Sequence, residues 1–393
     1  MESVYQSKKS NCCGCTACLH ICPKGAISMK ADGEGFSYPA IDSGICVDCG
    51  LCEKACPISH HEKPDSPHHA VYAVKHKDAA VLERSSSGGM FTAFSDYVLG
   101  KGGVVYGCKY DERFVLTYAR ADDTRNRDSL CGSKYIQADL ADTYAEVKYD
   151  LKRGIYVCFV GTACYCAGLY SFLKQQNVDI SKLLTLSFIC HGVPSPLLFH
   201  EYVDYCNKKR KAAIVDYEHR PKHRFWGHIE RAKFVYDNGD SDSDSDSDLS
   251  QAWKWLFYSN APLRHCCYEC LWAKHGHASD VTIGDFWGIE DCQPEFYDKM
   301  GVSVVLTNSK KGDDVFKAIR SNLIVKEAKY EDAIKKNPNL VASSVPLVDR
   351  ATFWNVYHSK GFGALITKYG HISMYYKLKS LARIVLKKIG FRK

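Results

Sequence analysis

The sequence opens without an apolar run. Met1-Glu2-Ser3 leads into polar residues and the pair Lys8-Lys9, so no secretory leader is expected ahead of the cysteines. It contains no GxGxxG and no GxxxxGK[ST] loop, which removes two common nucleotide-binding signatures. Long hydrophobic runs are scarce: the longest uncharged stretch, 154–173, barely matches the ~20 residues that span a bilayer. Three glycines, Thr162 and Ser171 interrupt it, so it reads as a strand (Ile155–Val160), a turn at Gly161-Thr162 and a helix from about Ala167. Acidic residues vanish from Arg350 to Lys393, where ten Lys or Arg stand alone; the whole chain carries +7, so the remainder is acidic by three. No nucleic-acid recognition module accompanies that basic tail, and no nucleic-acid partner is expected. With 393 residues, 46% hydrophobic and 25% charged, collagen-like, coiled-coil and wholly disordered chains are excluded and two or three domains are expected.

Cysteine is what the chain has in excess. Of 20, nine fall between Cys12 and Cys56, at gaps too short for a disulfide framework and suited to one inorganic centre, which implies a reducing cytoplasm. Eight of the nine form two runs in register, Cys12-x2-Cys15-x2-Cys18-x3-Cys22-Pro23 and Cys46-x2-Cys49-x2-Cys52-x3-Cys56-Pro57. This is the spacing of a bacterial two-cluster ferredoxin, in which three thiolates of a run grip one [4Fe-4S] cube and the fourth crosses to the other. Cys12, Cys15, Cys18 and Cys56 are then expected on one cube, and Cys46, Cys49, Cys52 and Cys22 on its partner. Cys13 is spare. Zinc sites usually want paired CxxC ligands instead.

Beyond a linker at 61–70, broken by Pro64 and Pro67, the pattern turns to α/β alternation: a strand at Val71–Val74, a helix face of Met90, Phe91, Phe94 and Val98, and a strand at Val104–Gly107. The strict Ser-Asp alternation of 241–248 is expected to be a solvated surface loop. Ser85-Ser86-Ser87-Gly88-Gly89 precedes a helix, where it reads either as a phosphate cradle or as a plain N-cap. Gly132-Ser133-Lys134-Tyr135 offers a second loop with a lysine. Cys164, Cys190 and Cys267-x2-Cys270 stand at strand ends or in loops; they read as ligands of a third cube or as small buried hydrophobes. His191 reads as a proton donor, as a donor to a cluster, or as a packed core histidine. In the tail, Leu378, Leu381, Val385 and Ile389 share a helical face beside Lys379, Arg383 and Lys387, which fits peripheral contact with the inner face of a membrane, an acidic partner, or packing on its own domain.

Six motifs occur in the order seen in the coenzyme F420 hydrogenase/dehydrogenase beta-subunit family, which the chain resembles over roughly residues 1–290. They are Arg84–Gly89, Gly132–Gln137, Gly161–Tyr165, Cys190–Pro196, Cys267–Cys270 and Ser279–Gly288. The resemblance implies FAD at Ser86, Ser87, Gly88, Gly89, Ser133 and Lys134, and a third [4Fe-4S] cluster on Cys164, Cys190, Cys267 and Cys270. It also places Arg264 and Cys267 in the family's register, with Cys266 where Ser is usual. Ala163 and Tyr165 replace the usual Pro and Gln, and Cys131 replaces a basic residue, so the flavin side of the pocket departs from its relatives.

The fold expected is α+β: a 2[4Fe-4S] ferredoxin-like domain (1–60), a linker (61–70), a mixed α/β domain holding FAD and a cluster (71–325) and a helical basic extension (326–393). The function expected is an iron–sulfur flavoprotein oxidoreductase that exchanges single electrons with a redox partner protein and hydride with a small-molecule substrate, of the F420 type or linked to polysaccharide. A flavin-free electron-transfer protein is the alternative, and a partner- or membrane-bound scaffold is a third reading.

Overall fold

A computed structural model describes residues 8–61, 70–222, 226, 232–242, 248–276 and 278–371. Most of the linker, residues 243–247 of the Ser-Asp repeat and the basic tail beyond His371 lie outside the described residues.

Residues 8–61 are built around the two cysteine runs. Strands β1 (Ile27–Ala31) and β2 (Ser37–Ile41) form an antiparallel hairpin, with Ile27 opposite Ile41, and short helices Ala17–Ile21 and Leu51–Lys54 lead out of the two ligand loops. Both loops pass through the left-handed region at matching places, Gly14 and Thr16 in the first and Asp48 and Gly50 in the second. Such turns point successive backbone N–H groups inward, the concave arrangement that receives anionic sulfur.

The larger body holds strands β3 (Ala70–His76), β4 (Val104–Tyr110), β5 (Leu116–Ala121), β6 (Val157–Gly161), β7 (Leu183–Phe188), β8 (Ile214–Glu218), β9 (Lys233–Tyr236), β10 (Ser241–Asp242), β11 (Val281–Asp285), β12 (Ser303–Thr307) and β13 (Leu323–Glu327). Eight of them make one sheet in the order β13-β3-β12-β11-β7-β6-β4-β5. The middle four, β4, β6, β7 and β11, are parallel, and antiparallel strands flank them on both sides. Parallel strands buried on both faces read as continuous apolar runs, as Val157–Val160 does. Val157 and Phe159 pack toward helices Thr143–Lys152 and Ala163–Gln175. Cys158 packs on the opposite face with helices Met90–Leu99 and Lys310–Ile319. A second, three-stranded sheet (β10-β9-β8) packs with helices Pro196–Arg210, Asp248–Tyr258 and Arg350–Tyr369 around Phe199, Trp253 and Phe353.

Three sequence expectations need adjustment. The helix after β6 starts at Ala163 rather than near Ala167, so Cys164 lies in its first turn. Ser241 and Asp242 pair with Val235 and Phe234, giving the Ser-Asp run a β-paired start. Residues 326–371 are not set apart from the main domain. Lys326 and Glu327 pair with Ala73 and Tyr72 at the sheet edge, and Phe353, Leu365 and Ile366 are fully buried. The boundary at 325 marks where the recognisable motifs run out, and a motif match does not register which later residues pack on the same core.

Asp280 fixes the two parallel strands that frame the site. Its buried carboxylate accepts from Thr185 N (2.9 Å), Thr185 Oγ1 (3.1 Å), Tyr170 OH (2.9 Å) and Ser309 Oγ (2.6 Å), joining β7, the helix Ala163–Gln175 and the approach to β11. Asp280→Ala leaves several buried donors without a partner and is expected to cost about 2–4 kcal/mol, read as a lower urea midpoint with an unchanged slope.

Candidate functional site

The first cysteine loop is pressed into the main domain. Cys12, Cys15, Cys18 and Cys56 line one small cavity with Pro57 and Ile58, and Ala17, Ile21 and Ala55 share a core with Phe159, Leu169 and Phe172. Burial, then the neighbouring Cys12, Cys56 and Cys52, pushes the Cys18 thiol up. The second loop faces outward: Cys49 is exposed and Cys46 and Cys52 are partly buried, with Ile45 and Val47 47% and 57% exposed beside them. Cys22 ends the helix Ala17–Ile21, where its sulfur accepts from Ala26 N at 3.3 Å.

Cys164, Cys190, Cys267 and Cys270, far apart in sequence, line a second small cavity together. Cys164 follows the carboxyl end of β6, and Cys190 follows β7. Cys267 and Cys270 come from the turn His265–Glu269 and its end. The sulfur of Cys267 accepts from Val193 N at 3.5 Å, and Thr162 Oγ1 lies 3.1 Å from Cys164 Sγ. Burial and then Cys267, Cys164 and Cys270 push the Cys190 thiol up, and burial pushes Cys270 up to about 12. Thiols crowded in this way repel one another as thiolates, a repulsion that a bound metal centre relieves. Among the described residues, no three His, Cys, Asp or Glu side chains converge on a single metal ion. Two further thiols, Cys13 and Cys266, line the same cavity. Spacing carried no sign of Cys13 here, because the left-handed turn at Gly14 that separates it from its neighbours is a tertiary fact.

A cavity of about 460 Å³ opens at the carboxyl ends of the four parallel strands, the crevice where open α/β sheets bind ligands. Cys108 of β4, Val160 of β6, Phe188 of β7 and Asp285 of β11 all line it. Thr162, Tyr165, Cys190, His191, Gly192, Val193 and Asn339 line both this cavity and the Cys164–Cys270 cavity, so one layer of residues separates the two. The His191 ring stands in that layer, 3.1 Å from Asn339 Oδ1 and 2.6 Å from Asn260 Oδ1. Asn260 Nδ2 is committed to Val345 O at 2.7 Å, which holds the amide oxygen toward the ring.

The residues linked to FAD by resemblance meet at one end of the cavity. Ser86 Oγ accepts from Ser133 N (3.0 Å) and lies 3.1 Å from Ser133 Oγ, joining the two loops. Ser87 Oγ is spent on Val302 O (3.0 Å). Gly88 does not line the cavity; a methyl there would stand 2.4 Å from Val74 O, so its role is close packing. Gly89 turns the chain (φ +86°) into the helix Met90–Leu99, whose amino end faces the loops. Lys134 departs from the phosphate-binding expectation. Its Nζ donates to Leu130 O, Cys131 O and Gly132 O at 3.0, 2.7 and 3.1 Å, and burial pulls its pKa down. Sequence reasoning placed Trp287 in the motif Ser279–Gly288 without a site role and missed Arg220; Trp287 stacks on Trp226 at 4.7 Å, Arg220 Nη1 donates to Asp285 Oδ2 at 2.6 Å, and Trp287, Arg220 and Asp285 line the other end of the cavity.

Cys267→Ser is expected to remove about four irons per chain and leave the ferredoxin-type signals, because four cysteines hold each cube. Cys13→Ser and Cys266→Ser are expected to keep the full iron content; anaerobic iron and sulfide assays read all three.

Two regions of the chain match known family models. Residues 11–59 match the 4Fe-4S dicluster domain, and residues 156–333 match the family described as the C terminus of the beta subunit of coenzyme F420 hydrogenase/dehydrogenase. The F subunit of the F(420)H(2) dehydrogenase of Methanosarcina mazei is 22% identical over 80% of this chain and 84% of its own length. A 7Fe ferredoxin of Hydrogenibacillus schlegelii is 42% identical over 12% of this chain and 55% of its own. A chain of the F420-reducing [NiFe] hydrogenase complex of Methanosarcina barkeri aligns over 70% of this chain and 91% of its own, with TM-score 0.47 and 14% identity. Residues 11–59 are thus similar to a 4Fe-4S dicluster domain, and residues 156–333 to the C-terminal region of the coenzyme F420 hydrogenase/dehydrogenase beta-subunit family.

Proposed function

We propose that this iron–sulfur electron-transfer oxidoreductase is a two-to-one electron converter, with [4Fe-4S] cubes on the two ferredoxin runs, a third cube on Cys164, Cys190, Cys267 and Cys270, and FAD in the 460 Å³ cavity. One observation carries the reading: the sites share walls in series. Cys13 lines both the Cys12–Cys56 cavity and the third-cube cavity, and seven residues line both that cavity and the large one. A flavin exchanges two electrons with an organic substrate and hands them on singly to iron–sulfur centres.

The chain's own residues orient and seal that exchange. Ser86, Ser133 and the amino end of the helix Met90–Leu99 offer hydroxyl and amide donors to phosphate oxygens. Lys134, bonded to three carbonyls, stiffens the second loop instead of presenting a free cation. Tyr118, Tyr135, Phe257 and Trp287 wall the cavity with rings and exclude water. The end near Trp287, Arg220 and Asp285 accepts the organic substrate, an F420-type molecule or another conjugated acceptor. A redox partner protein docks where Cys49, Ile45 and Val47 are exposed, since that loop brings a cube nearest to solvent. Among the described residues, no helix is long and apolar enough to cross a membrane.

Anaerobic purification with iron, sulfide and flavin quantitation on one sample is expected to give about twelve irons and one FAD per chain, four irons to each cube. About eight irons without flavin would instead establish a flavin-free electron-transfer protein. If the Ser86–Ser133 contact holds the cofactor phosphates, Ser133→Glu expels flavin by like-charge repulsion and leaves iron unchanged, read as loss of the yellow absorbance.

A further inference from the structure

Arg264 is a fully buried cation whose hydrogen bonds reach no carboxylate among the described residues. Its Nε donates to Cys12 O at 2.8 Å and its Nη1 to Gln137 Oε1 at 3.0 Å. Its Nη2 donates to Ser37 O at 2.9 Å and lies 3.4 Å from Cys12 Sγ. The Tyr38 ring covers the guanidinium at 4.2 Å and Phe36 lies beyond it at 5.5 Å. Burying a charge without an opposite charge is costly. The anionic group that the geometry supplies is the Cys12 sulfur and whatever that sulfur binds. Gln137 is itself pinned: its Nε2 donates to Cys13 O (3.2 Å) and to Tyr165 OH (3.0 Å), so the amide oxygen faces Arg264. The backbone of Arg264 leads into Cys266 and Cys267, and Cys267 N donates to Arg264 O at 2.9 Å. The cation therefore stands between the first ferredoxin loop and the third-cube loop, while the second loop, carrying Cys49, is the exposed one.

We propose that Arg264 is a positioning residue that sets the order of electron affinity along the chain, its charge raising the reduction potential of the Cys12–Cys56 cube above that of the Cys46–Cys52 cube. A reduced cube carries one more negative charge than an oxidised one. A fixed cation in a low-dielectric site stabilises the reduced form, and the effect falls with distance and solvent access. The consequence is direction: an electron arriving at the exposed cube moves inward. The proposal rests on the cluster reading given above.

The test is an EPR-monitored redox titration of the intact anaerobic protein after iron and sulfide assay, with Cys49→Ser used to assign the exposed cube. Arg264→Gln is expected to shift the reduction equilibrium of the inner cube toward oxidation about tenfold, about 59 mV for a one-electron couple, and to leave the exposed cube in place. Arg264→Lys keeps the charge and is expected to stay within about threefold of wild type. Gln137→Glu keeps the arginine and neutralises it, so the inner potential falls as in Arg264→Gln; this variant decides the matter if Arg264→Gln loses iron or fails to fold. Unchanged potentials in Arg264→Gln and Gln137→Glu overturn the proposal, as does an equal shift of both cubes or a shift in Arg264→Lys as large as in Arg264→Gln. Wild-type protein with fewer than about eight irons overturns the cluster reading itself, a failure separate from the first because the iron assay comes before any potential is read.

Discussion

The Cys12–Thr16 loop lies against the main domain with no space for added atoms at its contacts. A methyl at Gly14 would stand 2.6 Å from Gln137 Nε2, and one at Gly168, inside the helix Ala163–Gln175, would stand 2.8 Å from Cys15 Sγ. At the hairpin turn, a methyl at Gly35 would stand 2.3 Å from Leu197 Cβ. Glycine is the residue that lets backbone approach so closely. The approach is then locked by charge. Arg350 grips Glu34 with both guanidinium arms, and although burial alone pushes the Glu34 carboxyl up, His265 and Arg350 hold it down at about 2. Electron transfer depends steeply on separation, so fixing this one contact fixes the spacing of the inner sites.

The second constraint is the handedness and direction of the parallel strands. Because β4, β6, β7 and β11 run the same way, their carboxyl ends open on one side, and side chains that follow them in sequence gather there. Cys164 and Cys190 follow adjacent strands, so two cysteines from one sheet edge meet two from the His265–Cys270 turn. The same edge forms the wall of the large cavity. The two cavities are adjacent because one topological feature builds both.

Packing ionisable thiols together inside a protein is unfavourable unless a metal neutralises them, and metal binding then becomes part of the folding free energy. Cys13, Cys164, Cys190, Cys266, Cys267 and Cys270 share one cavity, and Cys12, Cys15, Cys18 and Cys56 share the next with Cys13. The contrast with Cys158, Cys166 and Cys206, which are fully buried among aliphatic and aromatic side chains, shows the other use of the residue in the same chain.

The sequence alone determined whatever depends on short-range spacing. Cys12, Cys15 and Cys18, like Cys46, Cys49 and Cys52, announce their chemistry because ligands with two residues between them meet in any compact loop. The strands at Val71, Val104 and Val157 were legible because apolar runs between turn signals have few alternatives. Tertiary structure decided the rest. That Cys13 turns toward the Cys164–Cys270 cavity and that the tail's first part closes the sheet edge and the core depend on backbone turns and on partners more than a hundred residues away, whereas Lys134 bends back onto the carbonyls of Leu130, Cys131 and Gly132 in its own loop. Arg264 shows the division most clearly. Sequence marks it, by resemblance, as the arginine of a cysteine loop; only the fold surrounds it with Cys12, Gln137 and Tyr38 and buries its charge, because burial is a property of what the whole chain places around a residue.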